Sequence, residues 1–206
     1  MFDDRTDGGE QLGELLADRG VDADIVLAIP RGGLPVGRAV ADALGLPLDV
    51  VVARKLPAPG NPELAVGAVA ADGTAWLNEA YRRAFGLDEG YLRETTERER
   101  EAAAEKLERY RGDRTPLALA GKRVIIVDDG LATGATALAC VRQARADGAA
   151  HVVVAAPVGP PRTLEALRAE AEEVVCVETP ANFGAVGQVY RSFAQVSDAE
   201  AVSYLE

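Results

Sequence analysis

Histidine occurs once in this chain and cysteine twice, and these shortages close off several kinds of chemistry. A histidine-based triad or a multi-histidine metal site needs imidazoles that are not there. The single His151 opens the run HVVVAAPV and reads as the first residue of a strand. Cys140 and Cys176 stand far apart in apolar contexts. A disulfide framework or a zinc site needs more ligands at closer spacing, so they read as two reduced core thiols. Aromatic residues make up only 5% of the chain. Lysine is confined to Lys55, Lys106 and Lys122 beside abundant arginine, a bias that a GC-rich genome accounts for without chemistry. No apolar run approaches the length of a membrane span. The opening stretch MFDDRTDGGEQLG lacks the apolar core of a secretory leader. The expectation is a cytoplasmic protein with no membrane partner. Basic charge is also in deficit: the formal net charge is -11. An acidic surface repels the phosphate backbone, so no nucleic-acid partner is expected. The acidity itself suits either a salty cytoplasm or simple solubility.

What is present is an alternation of short apolar runs with helical patterns. DIVLAIP (24–30), LDVVVARKL (48–56), RVIIVDD (123–129), HVVVAAPV (151–158) and EVVCVETP (173–180) are continuously apolar or nearly so. Such runs suit strands buried on both faces of a parallel sheet. Between them, 34–45, 132–148 and 161–172 have helical periodicity, the first two closed by Gly45 and Gly148 and the third opened by proline. Residues 6–20 read as an amphipathic helix. PAPGNPELA (57–65) reads as a loop, and 66–78 as a hairpin turning at Asp72-Gly73. The charged stretch 88–111 reads as a solvated helix with Glu94–Arg98 and Glu105–Arg109 pairs, or as an arm that packs on another subunit. The fold class is α/β: a parallel sheet with helices on both faces and right-handed crossovers. One domain fills 1–206, with a core at about 21–180, a helical insertion at about 79–115, and a small hood from the N-terminal helix and 181–206.

The densest signal is VIIVDDGLATGAT (124–136). In a parallel sheet, ligands bind beyond the carboxyl ends of the strands, where a loop enters the next helix. Asp128 and Asp129 stand at such an end. The loop Gly130-Leu131-Ala132-Thr133-Gly134-Ala135-Thr136 offers backbone N–H groups at a helix N-terminus, a ready anion site. Gly130 and Gly134 permit close approach, and Thr133 and Thr136 add hydroxyl donors. The carboxylates suit sugar hydroxyls or a Mg²⁺ ion held in part by substrate oxygens. Together they ask for a sugar phosphate. Arg31-Gly32-Gly33, after the first apolar run, adds a cation and a flexible backbone suited to a second anion.

VIIVDDGLATGAT resembles the phosphoribosyl-diphosphate (PRPP) signature of type I phosphoribosyltransferases, and the resemblance covers most of the chain. RKLPAPGNPELAVGAVA and FGAVGQVYRSFAQVSD are similar to members of that family whose substrate is unassigned. The resemblance implies transfer of 5-phosphoribosyl from PRPP to a nitrogenous acceptor, a nucleobase, with release of diphosphate and use of Mg²⁺. The alternative is a non-catalytic PRPP- or nucleotide-binding regulator. The implied 5′-phosphate site is Gly130 to Thr136, and the implied diphosphate site is Arg31, Gly32, Gly33 and Lys55. Asp128 and Asp129 would orient the ribose and share the metal environment, directly or through substrate. Arg54, beside Lys55, is expected to point the other way by strand alternation. The resemblance also implies a mobile loop, here 57–67, with Glu63 as a proton-transfer candidate, and a base-binding hood with Phe183 and Tyr190. Ala132 stands where hypoxanthine–guanine enzymes carry a third acid, so the chain is more similar to adenine and orotate enzymes. The implied partners are small molecules, and a homodimer is a candidate assembly.

Overall fold

The computed structural model describes residues 1–206, the side chain of Glu63 excepted. Five strands form a parallel sheet: β1 (Ile25–Ala28), β2 (Leu48–Val50), β6 (Arg123–Val127), β7 (His151–Val158) and β8 (Glu173–Glu178), in the order β2-β1-β6-β7-β8. Because successive side chains point to opposite faces, each apolar run supplies two layers. Ile25, Leu27, Val124, Ile126, Val152 and Val154 join one buried cluster, with apolar residues of α5 (Ala135–Ala146) and α6 (Pro161–Arg168). Val26, Ala28, Ile125, Val127, Val153 and Ala155 join the other, with Leu12 and Leu16 of α1 (Arg5–Asp18) and Leu34, Val36 and Val40 of α2 (Gly33–Leu44). Burial on both faces is what continuous runs, rather than alternating ones, make possible. The N-terminal helix, expected in the hood, therefore also forms a layer of the core.

The second apolar run does not make one strand. The chain leaves the parallel sheet after Val50, and β3 (Ala53–Ala58) pairs antiparallel with β4 (Asn61–Ala70), which pairs with β5 (Ala75–Leu77). Most of the segment expected as a loop is thus a β-hairpin turning at Pro59-Gly60, with Gly60 at φ 72°. Prolines misled there. Pro57 lies on the edge strand of the small sheet, and Pro62 lies in the part of β4 that β5 does not reach. Those are places where a missing N–H costs no ladder bond. The hairpin turning at Asp72-Gly73 is present as expected.

The charged stretch does form a helix, α4 (Glu89–Arg111), following the short α3 (Glu79–Ala84). It is not simply solvated. Leu92, Thr95, Glu99, Ala103 and Tyr110 are buried, and Arg111 pairs with the buried Asp49 of β2 at 3.2 Å. After β8 the chain forms a 3-10 turn at Val186–Val189 and α7 (Asp198–Ser203). Phe2 bridges to Tyr190, so the segment before α1 lies along the C-terminal stretch. Among the described residues no helix is long and apolar enough to cross a membrane.

Candidate functional site

The site forms where β1 and β6 end. β6 runs straight into Asp128 and Asp129, and α5 begins only at Ala135, three residues later than its pattern suggests. Gly134 causes the delay. It takes φ 75° at the N-cap, a left-handed conformation that suits glycine, and so turns the chain into the helix. Residues 130–134 stay outside the helix as a loop. The Thr163 hydroxyl donates to the Ala132 carbonyl at 2.6 Å, and the Leu131 N–H donates to the Val158 carbonyl at 2.9 Å, which together pin that loop. A cavity of about 180 Å³ lies against it, lined by Gly130 to Gly134, Thr136, Ala137, Val186, Lys55 and Asp128. Here the expected phosphate loop and the N-terminus of α5 face open space.

A second cavity, of about 510 Å³, lies beside the first. Its charged lining is Arg31, Arg54, Lys55 and Lys106 against Glu99 and Asp128, with Pro57 and Pro62 of the hairpin on one side. In a chain of net charge -11, this is a local excess of cations, the charge an anion would need. Lys55, Asp128 and Thr136 line both cavities, so they sit at the junction. The glycines after Arg31 have a steric reason. A Cβ on Gly32 would lie 2.0 Å from Asp129 Oδ2, and one on Gly33 would lie 2.8 Å from the Val127 carbonyl oxygen. Only glycines let this loop lie against the acid pair.

Two groups here were not foreseen. Lys106 comes from α4, donates to the Pro30 carbonyl at 2.8 Å and lines the larger cavity. Burial, then the nearby Arg54 and Arg31, hold its pKa below the ordinary lysine value. Its signal in the sequence is rarity: two of three lysines line this cavity. Arg54 is the other. Strand alternation places it away from Lys55, yet both line the cavity, and the Arg54 Nε donates to Glu99 at 2.7 Å. The exposed β3 edge and the buried Glu99 of α4 draw it there.

The two acids differ. Asp128 lines both cavities and accepts from the Asp129 N–H at 2.8 Å. Burial, then the Asp129 charge, push its pKa well above the usual carboxylate range. Asp129 is not among the lining residues of either cavity. Its Oδ2 takes the Arg5 Nε at 2.8 Å, in a pair whose side chains are only 12% and 15% exposed. Of the hood candidates, Tyr190 is packed rather than open. Its ring lies between Phe193, stacked at 5.1 Å, and Phe2, at 5.4 Å, and its hydroxyl donates to the Asp129 carbonyl at 2.6 Å. No face is left for a base. Phe183 is half-buried and lines neither cavity. The Glu63 side chain lies outside the described residues. No cluster of three or more metal-binding side chains occurs among the described residues. Asp128 lines both cavities, and one carboxylate completed by water and substrate phosphate is a donor set that fits Mg²⁺.

The chain is 46% identical over all 206 residues to a Mycobacterium tuberculosis (strain H37Rv) protein named "Putative phosphoribosyl transferase Rv0571c", and it spans 46% of that relative's length. The crystal structure of TT1426 from Thermus thermophilus is similar over 99% of this chain and 97% of that one, at 43% identity and a TM-score of 0.85. The Giardia lamblia APRTase complexed with 9-deazaadenine shares the fold at 14% identity, with a TM-score of 0.50 over 86% of this chain and 80% of that one. The family model described as "Phosphoribosyl transferase domain" matches residues 9–193, and the chain belongs to that family.

Proposed function

We propose that the chain transfers a 5-phosphoribosyl group from PRPP to a nitrogenous acceptor, a nucleobase, and releases diphosphate. One observation carries this reading. Two adjoining cavities, one walled by a helix-N-terminal phosphate loop and one by four cations, share Lys55, Asp128 and Thr136. A ligand with a phosphate at one end, a diphosphate at the other and a polyol between them matches that order of chemistry. The loop 130–136 takes the 5′-phosphate through backbone N–H groups and the threonine hydroxyls. Asp128, at the junction, accepts from ribose hydroxyls. Arg31, Arg54, Lys55 and Lys106 surround the diphosphate.

In the reaction the bond from the anomeric carbon to the diphosphate oxygen breaks, and its electron pair leaves with the diphosphate. The acceptor nitrogen forms the new bond and gives up a proton. The departing oxygen gains charge as the bond lengthens, so cations fixed around it favour the transition state over the ground state. Anchoring the remote 5′-phosphate places the anomeric carbon and lowers the entropy cost of alignment. Mg²⁺, held by Asp128 and substrate oxygens, would add further charge stabilisation. The hairpin prolines Pro57 and Pro62 wall one side of the larger cavity.

The test is diphosphate release from PRPP and Mg²⁺, with nucleobases supplied one at a time. The reading expects release that depends on one acceptor and yields its ribonucleotide. Release without any acceptor would point to hydrolysis. Binding of PRPP without release under any acceptor would point to a regulator.

A further inference from the structure

We infer that Asp198 is a positioning residue for diphosphate binding: anchored by Tyr110 of α4, it holds the Arg31 side chain, and through it the 30–33 loop, against the larger cavity. This rests on the transferase reading above and adds the C-terminal segment to the parts that set that loop. Three contacts converge on one carboxylate. Arg31 Nη1 lies 3.5 Å from Asp198 Oδ1. The Tyr110 hydroxyl donates to the same oxygen at 2.7 Å, and Arg109 Nη1 donates to Oδ2 at 3.2 Å. The Tyr110 hydroxyl first, and then Arg109, hold the Asp198 pKa below the ordinary aspartate value, so the carboxylate is charged at neutral pH.

The local sequence explains why Asp198 arrives there. It is the first residue of α7, directly after the cap Ser197. The Ser197 hydroxyl accepts from the Glu200 N–H at 3.2 Å, and Glu200 accepts from the Ser197 N–H at 3.4 Å, a reciprocal cap that fixes the first turn. Ala201 and Leu205 then share a buried cluster with Tyr110, which is itself only 2% exposed. Packing α7 on that ring brings Asp198 to its hydroxyl, the one polar group of a buried side chain. The other hold on the loop comes from the same helix. Lys106, one turn before Tyr110, donates to the Pro30 carbonyl at 2.8 Å, with its Nζ 5.8 Å from the centre of the Tyr110 ring. Pro30 is thus held by its carbonyl and Arg31 by its side chain, and both holds meet at Tyr110.

Positioning and plain charge predict opposite signs in one experiment. A carboxylate beside an anion site repels the anion, so its loss alone should tighten binding. Positioning predicts that Asp198→Asn weakens the binding of inorganic diphosphate about threefold, the worth of a partly exposed ion pair. Ribose 5-phosphate should bind about as before. Tyr110→Phe, which removes the anchor without changing charge, should weaken diphosphate in the same direction. In an Arg31→Met background, Asp198→Asn should cause no further loss, because it acts through Arg31. A merely structural role would lower the melting temperature and both affinities together. Tighter or unchanged diphosphate binding in Asp198→Asn or Tyr110→Phe overturns the inference alone, as does a full further loss in the Arg31→Met background. If the wild type binds no diphosphate, the proposed function falls and takes this inference with it.

Discussion

At the scale of single residues, the site spends stability on function. Asp128 sits at the cavity junction with its pKa raised by burial and by Asp129. The sign follows from linkage. Between the unfolded aspartate value near 3.8 and the raised folded value, the native state binds the extra proton. Stability therefore falls as pH climbs through that window, and Asp128 is a net cost to stability above the unfolded value. Asp128→Asn should raise the melting temperature at neutral pH, by about 2–4 °C for each kcal/mol relieved, while removing ribose 5-phosphate binding. Thermal melts and titrations on the same samples check both halves, and a lower melting temperature would contradict the account. Lys106 gives the opposite case. Its ammonium is held below the ordinary lysine value, so affinity for diphosphate should fall with rising pH before an ordinary lysine would lose its charge. Lys106→Met should bind diphosphate about tenfold more weakly near neutral pH and lose that alkaline fall. Titrations across alkaline pH would show it, and a wild-type profile matched by the variant would rule Lys106 out as a ligand.

At the scale of elements, α4 decides whether the larger cavity has a wall. Arg111, near the end of the helix, reaches Asp49 through two nitrogens at 3.2 Å, and Asp49 is 5% exposed. Arg111→Met leaves that carboxylate in the core without its cation, held only by the Val50 and Leu117 N–H groups, and should cost about 3–5 kcal/mol of stability. Because Glu99 and Lys106 ride on the same helix, diphosphate affinity should drop as well. Denaturant melts and diphosphate titrations together test this, and a stability loss within about 0.5 kcal/mol, the range of a plain surface substitution, would contradict it. The elements also show what could be read in advance. The five parallel strands and their helices were legible because burial on both faces writes continuous apolar runs. VIIVDDGLATGAT was legible because its acids, glycines and threonines have few other uses together. The 57–65 hairpin was hidden, since proline suppresses a strand reading except at edges and unpaired ends. The role of α4 was hidden for another reason. A helix with one narrow buried stripe and many charges looks solvated, and nothing local shows that Glu99 and Lys106 face a cavity made by β1 and β3. Arg5 is more than a hundred residues from Asp129, and only the folded chain brings them together.

At the scale of the whole molecule, a protein of net charge -11 keeps a cationic chamber beside the 130–136 loop, where two apolar strands end. Its surface repels anions in general, while its chamber admits one of matching shape. The family match over residues 9–193 and the division of the site into two joined cavities lead to one central claim: a single molecule with a phosphate at each end binds across both. Calorimetric titration of PRPP with Mg²⁺ tests this most directly, repeated with ribose 5-phosphate or inorganic diphosphate already present. The account predicts one PRPP per chain, displaced by either fragment and lost in Asp128→Asn. PRPP binding that either fragment leaves untouched, or no binding to the folded wild type, would contradict it.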